Sequence, residues 1–197
     1  MKKILIMLSL VIISLMPNKL NAEIKSETLP EALKAENIDT NINYKEDDNQ
    51  VTIYFFREQG ESKSREFLEH MNSIYDRYGV FFKMRIYEVS NNKDNYELMM
   101  NTFDYLKGNL TGAPFIMIGQ TYFITYNDSV NENIEKAFLE MYQSGSKKDV
   151  VKEVMTKYYR NYTLILSVVF TIITSIVVLI TYLTIKNIKE NKKAKNL

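Results

Sequence analysis

Cysteine is absent from the 197 residues. That excludes a disulfide framework, a thiolate zinc site, an iron–sulfur cluster and thiol catalysis. His70 is the single histidine, so a multi-histidine metal site is excluded too. Tryptophan is also missing, and proline and glycine are scarce, three and six residues. What is present is ordinary for a folded protein. With 46% hydrophobic and 25% charged residues and a net charge of +1, the chain is neither disordered nor fibrous. Its length leaves room for one domain once the two ends are set aside.

Both ends carry membrane chemistry. Residues 1–22 read as a secretory signal peptide. Lys2 and Lys3 precede an uncharged, mostly apolar run from Ile4 to Met16, Pro17 and Asn18 break it, and Leu20-Asn21-Ala22 is a passable cleavage site. The run is too short to cross a hydrocarbon core of about 30 Å, which takes roughly 20 helical residues. An uncleaved anchor is the alternative. Residues 161–185, between Arg160 and Lys186, are 25 consecutive uncharged residues, long enough to span. Tyr162 and Tyr182 lie near its ends, where tyrosine favours the interface. The flanking lysines and arginines balance and do not orient the span. The signal peptide does: it sends the middle region out and leaves the basic tail, 186–197, in the cytoplasm. Residues 23–160 hold 17 Lys and Arg against 23 Asp and Glu, so the exported part is acidic and a poor match for nucleic acid.

Residues 23–49 are polar and are expected as an amino-terminal arm, with one short helix between Leu29 and Ile38. From residue 51 the patterning sharpens. Val51–Phe56 is β-branched and aromatic, a buried strand. Phe67, Leu68, Met71, Ile74, Tyr75 and Tyr78 fall at helical spacing, closed by Gly79. Residues 80–89 form a second strand. Tyr96, Met99, Met100, Phe103 and Leu106 mark a second helix, closed by Gly108. Residues 115–119 and 121–126 make a hairpin around Gly119-Gln120. Ser129 and Glu132 form a capping box ahead of a third helix, whose stripe is Val130, Ile134, Ala137, Phe138 and Met141. The order β-α-β-α-β-β-α implies an α/β domain over 50–142, a mixed four-stranded sheet flanked by helices. Val150, Val151, Val154 and Tyr158 give an amphipathic juxtamembrane helix over 147–160.

Three stretches resemble the thioredoxin-like superfamily. Thr111-Gly112-Ala113-Pro114-Phe115 through Gly119 is similar to the family's Gly-x-Pro stretch, whose proline is cis. Residues 122–138 resemble its hairpin strand and last helix. Residues 51–71 resemble its first strand, active-site turn and first helix. The departure lies in the chemistry. Where the family carries Cys-x-x-Cys, this chain has Glu61-Ser62-Lys63-Ser64, or Gly60 to Lys63 in a register one residue earlier. Thiol–disulfide exchange needs a thiolate, which no hydroxyl replaces.

The resemblance therefore implies a degenerate active-site turn at Glu61, Ser62, Lys63 and Ser64, with no catalytic residue and no cofactor or metal. It also implies a peptide- or partner-binding edge at Ala113 and Pro114. The helix start near 61–64 favours an anion, opposed by Glu61 and helped by Lys63. The expected function is a redox-inactive binding or accessory module at the outer face of the cell membrane, for a membrane protein or an exported polypeptide. A cysteine-independent transferase using Ser62, Ser64 or a tyrosine is the alternative, and a fold with no retained activity is a third reading. His70 is expected as a solvated residue. Asp47, Asp48, Asp128 and Glu132 fit no calcium loop, and the methionines follow the helix stripes as core filling.

Overall fold

The computed structural model describes residues 24–108 and 112–194. The signal-peptide reading of residues 1–22 falls outside them, as does Thr111. Four strands, β1 (Val51–Arg57), β2 (Phe82–Glu88), β3 (Phe115–Ile118) and β4 (Thr121–Ile124), form one sheet in the order β2-β1-β3-β4. β1 and β2 are parallel, from Val51 opposite Phe82 to Arg57 opposite Glu88. β3 is antiparallel to both β1 and β4. The helices are α1 (Leu29–Ala35), α2 (Ser62–Tyr78), α3 (Lys93–Leu106), α4 (Asn131–Ser144) and α5 (Val150–Ala194), with a 3₁₀ turn at Asp128–Val130.

The alternation of β1 explains the layering. Ile53 and Phe55 face a core built with α1, α2 and α4, where Leu33, Phe67, Met71, Met84, Ile116 and Phe138 meet. Tyr54 and Phe56 face a second core, with Tyr87, Phe103, Phe115, Met117 and the first turns of α5. A strand buried on both faces loses the polar alternation of a surface strand, which is why 51–56 reads as one apolar run.

Several boundaries differ from expectation. The segment expected as a polar arm is part of the first core: Leu29, Ala32 and Leu33 have no exposed surface. Glu27 bonds Ile86 across the edge of β2 (2.7 and 2.9 Å). The helix expected over 147–160 starts at Val150, and Val150, Val151 and Val154 are buried in the second core. The sheet and both cores therefore lie in one compact unit that takes in α1 and runs to Met155. Ser129 and Glu132 form no capping box. The Asn127 side chain caps the 3₁₀ turn, accepting from the Ser129 amide (3.0 Å) and its hydroxyl, and α4 has no side-chain cap. α3 ends at Lys107 in the left-handed region, not at Gly108. β4 stops at Ile124, because Thr125 (φ 59°) turns the chain and sends Tyr126 into the first core. Gly79 does close α2, but with φ −60°. A Cβ there would lie 2.6 Å from the Tyr75 ring, so space, not left-handed backbone, selects glycine.

Within α5, Leu164–Asn191 is long and apolar enough to cross a membrane, and its apolar side chains are exposed along its length. So much uncovered apolar surface suits lipid and not water. Its serine and threonine hydroxyls, among them Ser167, Thr171, Ser175, Thr181 and Thr184, donate to carbonyls three or four residues earlier, so they present no free donor to the hydrocarbon. The tail continues as helix to Ala194, with Lys186 4.0 Å from Glu190.

Candidate functional site

The carboxyl end of β1 carries a buried polar cluster. Arg57 ends the strand, and its side chain has no exposed surface. Its guanidinium pairs with Glu27 (2.8 Å) and with Glu36, whose side chain is 6% exposed. The second Glu36 contact is the exposed Gly60 amide, which donates to its carboxylate (3.1 Å). Arg65 donates to the Glu36 carbonyl (2.5 Å), and the Val89 amide to the Arg57 carbonyl (2.9 Å). Arg57 Nε is buried with no partner. A charge so placed is tolerated only because carboxylates meet it. The result is a clamp: the segment around α1 grips the β1–α2 turn.

The turn itself is closed by its own chemistry. Glu61 is the N-cap of α2, and its carboxylate accepts from the Lys63 amide (2.9 Å) and the Ser64 amide (2.6 Å). The expected anion preference of this helix start is thus met internally, by Glu61. Lys63 pairs with Glu66 (2.6 Å), and that contact raises the lysine pKa. Ser62 is exposed at the first helical position. Ser64 is fully buried, and its hydroxyl has no partner.

The Ala113–Pro114 bond is cis. Pro114 is buried and Ala113 half-buried. The Thr125 amide donates to the Pro114 carbonyl (2.9 Å). The β1–β3 register ends at Phe56 opposite Phe115, so Arg57 and the turn after it share one end of the sheet with Ala113 and Pro114. Among the described residues, no hydrogen bond or ion pair links 61–64 to Ala113 or Pro114.

His70 is not solvated. It is half-buried between α2 and α4, with Nε2 3.7 Å from a Glu135 carboxylate oxygen and no hydrogen-bond partner. Burial lowers its pKa, against the pull of Glu135 and Asp128 upward. On the opposite face of the sheet, Tyr54, Tyr87, Arg85 and Lys83 floor a cleft of about 950 Å³. Asp149 closes one wall. It accepts from the Tyr54 hydroxyl (2.8 Å) and from the Lys152 amide (2.9 Å), and burial raises its pKa. Desolvation likewise raises that of Tyr54.

Neither Arg57 nor Asp149 stood out in the sequence. A charge after an apolar strand reads as the point where the strand reaches solvent. Asp149 carried a usable signal, an aspartate just before an apolar pair at a helix start. Comparison with family models, with curated proteins and with solved structures returns no match.

Proposed function

We propose that this chain is a membrane-anchored, extracytoplasmic thioredoxin-like protein without redox cysteines. It acts as a binding or accessory module for a membrane protein or an exported polypeptide. The sheet order β2-β1-β3-β4, with β1 and β2 parallel and β3 reversed, supports the fold assignment. So does α2 starting directly after the β1 turn. Of the two registers for the degenerate motif, Glu61–Ser64 is favoured, since Glu61 is the cap and Ser64 the third helical residue. The apolar helix supports the anchor. The outward orientation rests on the signal-peptide reading of residues 1–22.

One observation carries the binding role over a catalytic one. The helix start that would host chemistry is saturated by the Glu61 carboxylate and offers no thiol, while Ala113 at the same end of the sheet remains accessible. The transferase alternative would need Ser62 or Ser64. Ser64 is buried away from substrate, and among the described residues no base is hydrogen-bonded to Ser62. Ordinary disulfide exchange has no chemical route without a thiolate.

The test is a photo-crosslinking amino acid at Ala113 in the full chain, expressed in its own membranes. A discrete adduct with an exported or membrane polypeptide is expected, absent when the probe stands at Lys136 on α4. No adduct, or the same adducts from both positions, refutes the edge as a binding site.

A further inference from the structure

The two edges of the sheet are finished differently. The outer edge of β2 is closed by the chain itself. Glu27 exchanges two backbone hydrogen bonds with Ile86, and the Tyr44 hydroxyl accepts from the Met84 amide (3.1 Å). The outer edge of β4 has no such cover among the described residues.

The free backbone groups of β4 can be assigned. β3 and β4 join through Gly119-Gln120, with Ile118 opposite Thr121 and Gly119 at φ 59°. A two-residue loop with glycine first makes the flanking pair a hydrogen-bonded one. Bonded and non-bonded pairs then alternate, so Ile116 and Phe123 bond, and Pro114 and Thr125 bond. The observed Thr125 amide to Pro114 carbonyl bond fits this parity. It leaves the N–H and C=O of Tyr122 and Ile124 directed at the open edge.

The side chains match. Tyr122 and Ile124 lie on one face of β4, opposite Met117 and Phe115, and are 40% and 39% exposed. Exposed edges are usually protected by a lysine, a proline or a bulge. β4 has none of these, and no charged residue lies between Gly112 and Asn127. An uncharged strand pairs with its own copy without like-charge repulsion.

We propose that β4 is a self-association edge: two copies of this chain pair β4 to β4, antiparallel about Phe123, joining two four-stranded sheets into one. Only this register opposes Tyr122 of each copy to Ile124 of the other, using all four outward backbone groups of each strand and covering the exposed apolar pair. Faces are preserved across the two-fold axis, so both Tyr122–Ile124 pairs lie on the same side of the joined sheet. Three paired residues from each strand bury less than the roughly 1,200 Å² of a stable soluble interface. Association is therefore weak in solution and is favoured where the span confines both copies to one bilayer. The proposal rests on the span and not on the thioredoxin reading.

Because the chain lacks cysteine, introduced thiols report without background. Full-length Tyr122→Cys and Ile124→Cys chains are reconstituted in vesicles, alone and mixed, and oxidised mildly. Directly opposed residues lie within disulfide reach, whereas Tyr122 of one copy is about 7–8 Å from Tyr122 of the other. The mixture should give several-fold more disulfide-linked dimer than either chain alone. Phe123→Cys should give several-fold more than exposed Ser90→Cys, and adding Tyr122→Lys and Ile124→Lys should reduce it to the Ser90 level. Equal crosslinking of mixed and unmixed chains, or of Phe123→Cys and Ser90→Cys, overturns the proposal. So does a Phe123→Cys dimer that survives both lysines, which would place the association elsewhere, for example in the spans.

Discussion

Glu36→Ala should cost this domain roughly 3–5 kcal/mol, the loss expected when one partner of a buried ion pair is removed. The Arg57 side chain has no exposed surface, and of its two carboxylates Glu36 is the buried one, 6% exposed against 29% for Glu27. Deleting Glu36 leaves the guanidinium with Glu27 alone. The Gly60 amide also loses its acceptor, but Gly60 is exposed, so water replaces it and no further cost arises there. Glu27→Ala leaves the buried pair intact and should cost less, about 1.5–3 kcal/mol for a charge-assisted bond. At about 4 °C per kcal/mol for a unit of this size, Glu36→Ala should lower the melting temperature by about 12–20 °C. The assay is thermal melting of the full chain in detergent, followed by near-ultraviolet tyrosine circular dichroism, which the apolar helix contributes to weakly. Arg57→Met with Glu36→Leu should recover most of the loss, since an apolar replacement removes both desolvation penalties together. A Glu36→Ala melt near wild type, or a double variant melting no higher than Glu36→Ala, would refute the clamp.

Asp149→Asn tests the cleft wall. Burial raises the Asp149 pKa above its ordinary 3.8, so the folded chain holds that proton more tightly and the Asp149 contribution to stability grows as pH falls through the raised value. The variant lacks this slope, so its stability relative to wild type should be best at neutral pH and decline toward about pH 4, read from melts across pH. His70→Gln tests the α2–α4 contact with the opposite sign. The folded His70 pKa is depressed by burial, so its contribution is present above the ordinary 6.5 and lost as pH falls through the depressed value. The variant should flatten the melting curve below 6.5, and an unchanged slope would refute the burial argument. Glu61→Cys with Ser64→Cys should form an intramolecular disulfide, trapped by thiol alkylation and mass spectrometry. Gly60→Cys with Lys63→Cys should form it less readily, because Gly60 sits at φ 77°, where a side chain is strained.

The sequence by itself carried the element order, the apolar span and the absence of thiol chemistry. Each is a local property. Val51–Phe56 declares a strand by composition, the Phe67–Tyr78 stripe a helix by spacing, and residues 161–185 a span by length and lack of charge. The position of the turn and of Pro114 was legible for the same reason, since both follow from short contiguous patterns. Tertiary structure decided the rest. Arg57 meets partners 21 and 30 residues earlier, and Tyr54 meets Asp149 95 residues later. Polar residues 24–49 read as an arm because hydrophilic spacing hides Leu29 and Leu33, which matter only once the first core exists to receive them. Val150, Val151 and Val154 read as an independent helix because their partners lie on the far face of the sheet. Even the capping of α2 turned on which of several acidic side chains stood at the right φ and ψ. Spacing along the chain records which face a residue presents. It does not record what that face meets, and burial of a charge is set by that meeting.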